Sequence, residues 1–300
     1  MRALVLSGGG AKGAYQVGVL KHLLGERRER YDIISGTSVG ALNGTYLAMY
    51  QAGDEARSIA DLEKLWLSID SSKIWRKWYW GALGMLPLVL PKWLGGKQSA
   101  FSTAPLRDLV GKHLHEENVA TSGKKLRVNA VNLNTGDRRV WTESDTAQLK
   151  LAVLASSSFP MFFEPVEIDG HLFTDGGVRE VSPIDDAIAA GATEVHLIGT
   201  GPSQVTGQFD TKANGLDLGQ RILDAMSAEI EKWDVKVVDL YNSLYEAKHP
   251  SAVGKRHVSV KVCRPKQNVL DNALDFSPAA IRTNIARGLS DARELNWDAD

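Results

Sequence analysis

Two glycine-bounded turns in the first forty residues constrain this chain more than any other feature. Ala3 to Ser7 is a short apolar run ending in Gly8-Gly9-Gly10, and Ala11 to Glu29 then places Tyr15, Val19, Leu20, Leu23 and Leu24 at helical spacing. Tyr31 to Ser35 repeats the strand pattern and runs into Gly36-Thr37-Ser38-Val39-Gly40, after which Ser38 to Gln51 reads as a second helix. Strand, turn and helix, twice over, predict a parallel β-α-β unit with a right-handed crossover. Both turns would then lie at the carboxyl ends of neighbouring strands, the edge where open α/β sheets bind ligands.

The second turn is a G-x-S-x-G pentapeptide. A serine on a tight strand-to-helix turn projects its hydroxyl clear of the backbone, and Gly36 and Gly40 remove the steric obstacles on either side, so Ser38 is a candidate nucleophile. Glycine amides at a helix start favour negative charge, which makes the triple-glycine loop, Gly9 and Gly10 above all, a candidate oxyanion cradle. The same loop satisfies G-x-G-x-x-G through Gly8, Gly10 and Gly13, so a nucleotide-binding module is the alternative from outside the hydrolases. That reading wants an acidic residue at the carboxyl end of the second strand; Asp32 lies at the wrong end.

A serine nucleophile needs a base. His22 lies on the first helix, and His113 and His115 sit on a polar helical face expected to be solvated. His171, His196, His249 and His257 follow Ser38 but occupy no distinctive loop, although a Ser-His-Asp esterase stays open as an alternative. Asp175 is better placed, because it ends a short strand in Phe173-Thr174-Asp175-Gly176-Gly177, where two glycines let the backbone bend sharply. Upstream, Ala155-Ser156-Ser157-Ser158-Phe159-Pro160-Met161-Phe162-Phe163 mixes small polar residues with bulky apolar ones.

With these residues in view the chain resembles the patatin-like phospholipases. Gly8-Gly9-Gly10-Ala11-Lys12-Gly13 is similar to that family's oxyanion loop, the pentapeptide to its nucleophile elbow, and Asp175-Gly176-Gly177 to its aspartate block. The Ala155 to Phe163 stretch also resembles a family segment, so the likeness covers roughly residues 3 to 200. It implies an α/β fold: a single three-layer domain with a central, mostly parallel sheet flanked by helices. It also implies that Ser38 attacks an ester carbonyl, that Asp175 takes the proton without histidine, and that the Gly9 and Gly10 amides hold the oxyanion. Lys12 matches the basic position of the loop, and an exposed, salt-bridged lysine is an equal reading. The substrate would be a fatty-acyl ester or phospholipid, with no cofactor and no metal. One departure is Glu180-Val181-Ser182-Pro183, where the family usually carries asparagine before a proline.

Residues 1–200 are expected to form the catalytic core and 201–300 to complete the same domain, with 71–104 as an aromatic-rich insertion or lid. Trp75, Trp78, Trp80 and Trp93 crowd there with Arg76, Lys77 and Lys92, a mixture that suits the membrane interface, so these tryptophans are lipid-contact candidates. A core-covering cap would select similar residues. Further strands are expected at Lys125 to Leu133, Arg138 to Trp141, Phe163 to Ile168, Glu194 to Gly199 and His257 to Cys263. Asn134-Thr135-Gly136-Asp137 and Asp169-Gly170 mark turns. Ser182 should cap a helix whose first residue is Pro183. Gly215 to Ala247 is the longest helical pattern, with Met226, Ile230, Trp233, Val237, Leu240 and Leu244 spaced by alternating fours and threes. Such a stripe could be a dimer seam, but over only about three heptads it reads first as a helix packing onto its own sheet.

A charge balance of 35 basic and 36 acidic residues gives no reason to expect a nucleic-acid partner. Cys263, the single cysteine, excludes an intrachain disulfide and is expected as a small buried strand residue. The apolar run at the amino terminus is too short for a signal peptide, and a cytoplasmic chain, peripheral at a membrane at most, is expected.

Overall fold

Strand β1 (Arg2–Leu6) explains the layering. Its side chains alternate between faces. Leu4 and Leu6 join Tyr15, Val19 and Leu20 on one side, while Ala3 and Val5 join Ile33, Ile184, Ala187 and Val238 on the other. Both faces are therefore covered, which is why the run is apolar throughout rather than alternating. The first side is covered by α1 (Gly13–Leu20), which continues through a π-type turn over Lys21–Glu26, so the helix expected over 11–29 changes its winding along its length. The computed structural model describes residues 1–77, 98–204, 215–252, 256–270 and 272–298.

The sheet is mixed, with a parallel centre. β1 pairs in parallel with β2 (Ile33–Gly36) and with β9 (Glu194–Ile198), and β9 in turn with β10 (Ser259–Cys263). β2 pairs in parallel with the first half of β5 (Lys125–Asn132). Three antiparallel strands complete it: β6 (Arg138–Thr142) and β8 (His171–Asp175) on β5, and β7 (Val166–Ile168) on β8. Both expected turns form, each closing a hairpin, and Asp169 (φ 54°) and Gly170 (φ 75°) make the second a two-residue turn of the twist hairpins prefer. The three-layer α/β architecture expected of the chain is thus present. Cys263 is buried at the end of β10.

The register on β5 positions the site. β2 runs along one edge of β5 as far as Gly36 opposite Val128, and β8 arrives from the opposite direction, ending with Asp175 opposite Ala130. The two strand ends meet head-on across Asn129, so the loops after Gly36 and after Asp175 face each other.

Among the described residues the other helices are α2 (Val39–Ala48), α3 (Glu55–Ser68), α4 (Ala104–His113), α5 (Glu116–Thr121), α6 (Leu149–Ser156), α7 (Ile184–Ala189), α8 (Gly215–Glu246) and α9 (Pro278–Glu294). Strands β3 (Arg76–Lys77) and β4 (Phe101–Ser102) pair antiparallel. The expected cap at Ser182 is corrected by one residue: α7 starts at Ile184 and Pro183 stands at its N-cap. Pro183 is held there because its carbonyl accepts the Ser35 hydroxyl at 2.9 Å, while the Ser182 amide donates to Asp234 Oδ2 at 3.0 Å.

Candidate active site

Ser38 occupies the point where β2 turns into α2, with φ 57° and ψ −125°. A non-glycine residue in that region costs on the order of 1–3 kcal/mol and persists only where the surroundings impose it. They do so by close approach. A Cβ on Gly36 would lie 2.3 Å from the Gly40 carbonyl oxygen, and one on Gly40 would lie 2.1 Å from that of Leu6. The turn is thereby pressed against the end of β1, and Ser38 itself is 7% exposed.

Asp175 stands opposite, 3% exposed. Its Oδ1 accepts the Gly177 amide at 2.8 Å. Burial pushes the carboxyl up to about 7, against the downward pull of the Ser38 hydroxyl and the Gly177 amide. Its buried Oδ2 has no hydrogen bond of ordinary length. A carboxylate acid enough to be ionised at neutral pH and basic enough to take a proton is what a serine hydroxyl needs beside it.

The three-serine run holds the two together. Ser156 Oγ accepts the Ser38 amide at 2.9 Å, the Ser157 hydroxyl donates to the Ser38 carbonyl at 3.2 Å, and the Ser158 carbonyl accepts the Asp175 amide at 3.1 Å. Behind them, Asn129 Nδ2 donates to Thr37 Oγ1 at 3.0 Å, and the Thr37 hydroxyl reaches the Glu180 carbonyl at 3.1 Å. In the sequence the serines stand out without showing a role. Asn129 is not among the expected site residues, and its one signal is a polar side chain within the apolar stretch Val128 to Val131. Ser156→Ala leaves a buried amide without an acceptor, so we expect a loss of about 1–3 kcal/mol in denaturant unfolding together with a fall in kcat. An unchanged kcat would remove Ser156 from the positioning scheme.

The glycine loop lies against the serine: a Cβ on Gly8 would sit 3.3 Å from Ser38 Cβ. Its amides are not equivalent. Gly8 donates to the Val181 carbonyl at 3.1 Å, Ala11 to that of Ala273 at 2.7 Å and Lys12 to that of Gly9 at 3.2 Å. Gly13 caps the short 3-10 turn Gly10–Lys12 with its own amide on Gly10 and Ala11. The Gly9 and Gly10 amides, at the start of that turn, have no intrahelical acceptor and no backbone acceptor among the described residues. Gly9 (φ 152°) and Gly10 (φ 58°) both need glycine, since a Cβ would lie 2.1 Å from Thr200 Oγ1 at the first and 2.4 Å from the Ala273 carbonyl oxygen at the second. Lys12 is not the exposed lysine that was one of its two readings. It is buried, with Nζ 3.1 Å from Asp224 Oδ1.

A cavity of about 720 Å³ opens from this point. Gly8, Gly9, Gly10, Lys12, Ser38, Asp175 and Gly177 line one part, and Leu42, Leu62, Trp66, Ile69, Leu106 and Phe276 line an apolar remainder. That shape and lining suit a polar head and a hydrocarbon chain. His113, expected to be solvated, is half-buried and lines the cavity beside Leu109 and Val110. The other histidines lie elsewhere. His171 starts β8, at the far end from Asp175, and His196 is buried against Tyr31 with its ring pushed down to about 4 by desolvation. His249 and His257 are exposed, and His22 pairs with Glu26. Of the lipid-contact candidates, Trp75 packs on Phe101 at 4.5 Å between ring centres and donates to the Leu274 carbonyl. Trp78, Trp80 and Trp93 lie outside the described residues.

Among the described residues Glu180, Asp185 and Asp186 come close enough to share a cation. Arg138 supplies it, pairing with all three. No described helix is long and apolar enough to cross a membrane.

Residues 4–188 match the family described as patatin-like phospholipase, and the chain belongs to that family. Patatin-like phospholipase domain-containing protein 7 of Mus musculus is 28% identical over 205 residues, which cover 68% of this chain and 14% of that protein. The uncharacterized protein R571 of Acanthamoeba polyphaga mimivirus is 29% identical over 61% of this chain and 60% of its own length. The uncharacterized protein YjjU of Escherichia coli (strain K12) is 26% identical over 68% and 53%. This chain therefore spans less than two thirds of these relatives. The crystal structure of VipD from Legionella pneumophila aligns over 98% of this chain and 66% of its own, at 15% identity and a TM-score of 0.41.

Proposed function

We propose that this chain hydrolyses fatty-acyl esters of lipids, phospholipids among them, through a Ser38–Asp175 dyad. The observation that carries the reading is a buried carboxyl held near neutral pKa against the hydroxyl of a serine in the elbow conformation. Ser38 Oγ attacks the ester carbonyl carbon while its proton passes to the Asp175 carboxylate. The carbonyl oxygen, now negative, faces the Gly9 and Gly10 amides, whose direction is set before substrate arrives. Collapse expels the alcohol, which takes the proton back from Asp175. Water then attacks the acyl-serine with Asp175 again as base, releasing the fatty acid and restoring the serine. The acyl chain lies along the apolar part of the cavity, and the 71–104 insertion serves as its cover or as a contact with the lipid surface.

Fluorophosphonate labelling tests the nucleophile. Ser38→Ala is expected to lose the label and about 10⁴-fold or more in turnover, while His113→Ala keeps both; a labelled Ser38→Ala protein, or a dead His113→Ala one, returns the search to a histidine-based site. Deleting residues 75–93 is expected to reduce hydrolysis of long-chain esters and liposome binding more than hydrolysis of short soluble esters. Equal losses on both would reject the cover.

A further inference from the structure

The long helix α8 is packed the opposite way from its expectation. Its inward row is polar. Asp224 pairs with Lys12, Glu231 with Arg264 at 3.2 Å, Asp234 accepts the Ser182 amide, and Asn242 exchanges hydrogen bonds with the Val258 backbone. Val238, buried, and Val235, partly buried, are the apolar residues of that row. The apolar stripe faces outward instead, with Ile222, Met226, Trp233, Val237, Leu240 and Tyr241 between 44% and 60% exposed. At ~100° per residue the stripe lies roughly 140° around the helix from the inward row.

We propose that this stripe is the interface with a second copy of the same chain, the two α8 helices packing antiparallel about a twofold axis. Three observations select that occupant. The spacing of Met226, Ile230, Trp233, Val237, Leu240 and Leu244 is the 3.5-residue repeat that lets one helix seat its side chains between those of another, a regularity that a fluid lipid surface does not require. Counting Leu218 and Tyr245, the outward apolar side chains expose on the order of 800 Å², the area each partner contributes to a stable interface of standard size. The flanking charges are also self-complementary. Glu229 and Lys236 occupy the same flank of the seam, one on each side of Trp233, so a twofold axis beside Trp233 sets Glu229 of each copy opposite Lys236 of the other. Met226 and Ile230 also line the substrate cavity, so the second copy would stand at the cavity's edge.

Sedimentation velocity of the full chain between about 1 and 50 μM is expected to give twice the monomer mass. Trp233→Glu with Leu240→Glu should give a single-chain mass and still unfold cooperatively, since both side chains are exposed in the monomer. Lys236→Glu alone should weaken association about tenfold, and adding Glu229→Lys should restore it, which only the antiparallel pairing predicts. A monomeric wild-type chain at 50 μM, a dimer untouched by the double substitution, or a swap that fails to rescue would overturn the proposal. Binding of the monomeric wild-type chain to neutral phosphatidylcholine vesicles, lost in Trp233→Glu with Leu240→Glu, would overturn it in favour of a lipid surface.

Discussion

Asp175→Asn is expected to abolish turnover and, at alkaline pH, to stabilise the fold. A carboxyl whose folded pKa is raised by burial contributes full stability below its unfolded pKa and loses it as pH rises through the folded value. For Asp175 that window runs from 3.8 to about 7, and at 1.36 kcal/mol per pH unit the ionised fold is weakened by up to about 4 kcal/mol. The amide removes this penalty, so the variant's advantage in denaturant unfolding should be small at pH 4 and large at pH 8. The rate should follow the opposite logic, kcat/KM rising with pH through about 7 as the base ionises. Asp234, also pushed up to about 7 by burial, gives the same sign of stability change, so Asp234→Asn should alter the stability curve and leave the rising limb of the rate in place. An Asp175→Asn protein that turns over, or gains nothing between pH 4 and pH 8, would remove Asp175 from the mechanism.

Gly40→Ala should be severely damaging to both fold and site. The new Cβ would lie 2.1 Å from the Leu6 carbonyl oxygen, 2.6 Å from its carbon and 2.8 Å from the Ser7 carbonyl oxygen. All three are backbone atoms at the end of β1, so relief means moving the strand that carries the glycine loop. We expect a loss of about 3 kcal/mol or more and a fall of about 100-fold or more in fluorophosphonate labelling of Ser38, because small displacements of a nucleophile are that costly. Gly111→Ala is the matched control. It lies in α4, where a Cβ would meet nothing within 4 Å, and should stabilise the helix by a few tenths to about 1 kcal/mol. Equal behaviour of the two variants would mean that the elbow has more room than its geometry allows.

Much of this site was legible before the fold was known, because an elbow and a glycine loop are local devices. Gly36, Ser38, Gly40 and the triple glycine lie within a few residues of the turns they shape, and steric exclusion over such short distances is written in residue type and spacing. Asp175 was legible by its flanking glycines and by family likeness. Its pKa was not, since burial depends on what packs around it. The serines at 156–158 and Asn129 act through hydrogen bonds to residues about 20 to 120 positions away, and nothing in their own neighbourhoods names those partners. His113 was misplaced, and the exposed one of Lys12's two readings failed, for the same reason: exposure is a property of the assembled cavity.

Alone, then, the amino-acid order determined the β-α-β entry, the tight turn at Ser38, and the pairing of a candidate nucleophile with a candidate anion-binding loop, since each follows from sterics between near neighbours. Only the assembled sheet decided that β2 and β8 end nose to nose across Asn129, which brings the hydroxyl to a desolvated carboxyl. The same holds for the glycine amides and for α8. Val181 and Ala273, far along the chain, occupy the donors that flank the Gly9 and Gly10 amides, and a polar inward row anchored by Lys12, Arg264 and Ser182 turns an apolar stripe outward, because buried charges and amides must find partners and their partners' positions are set by the whole fold.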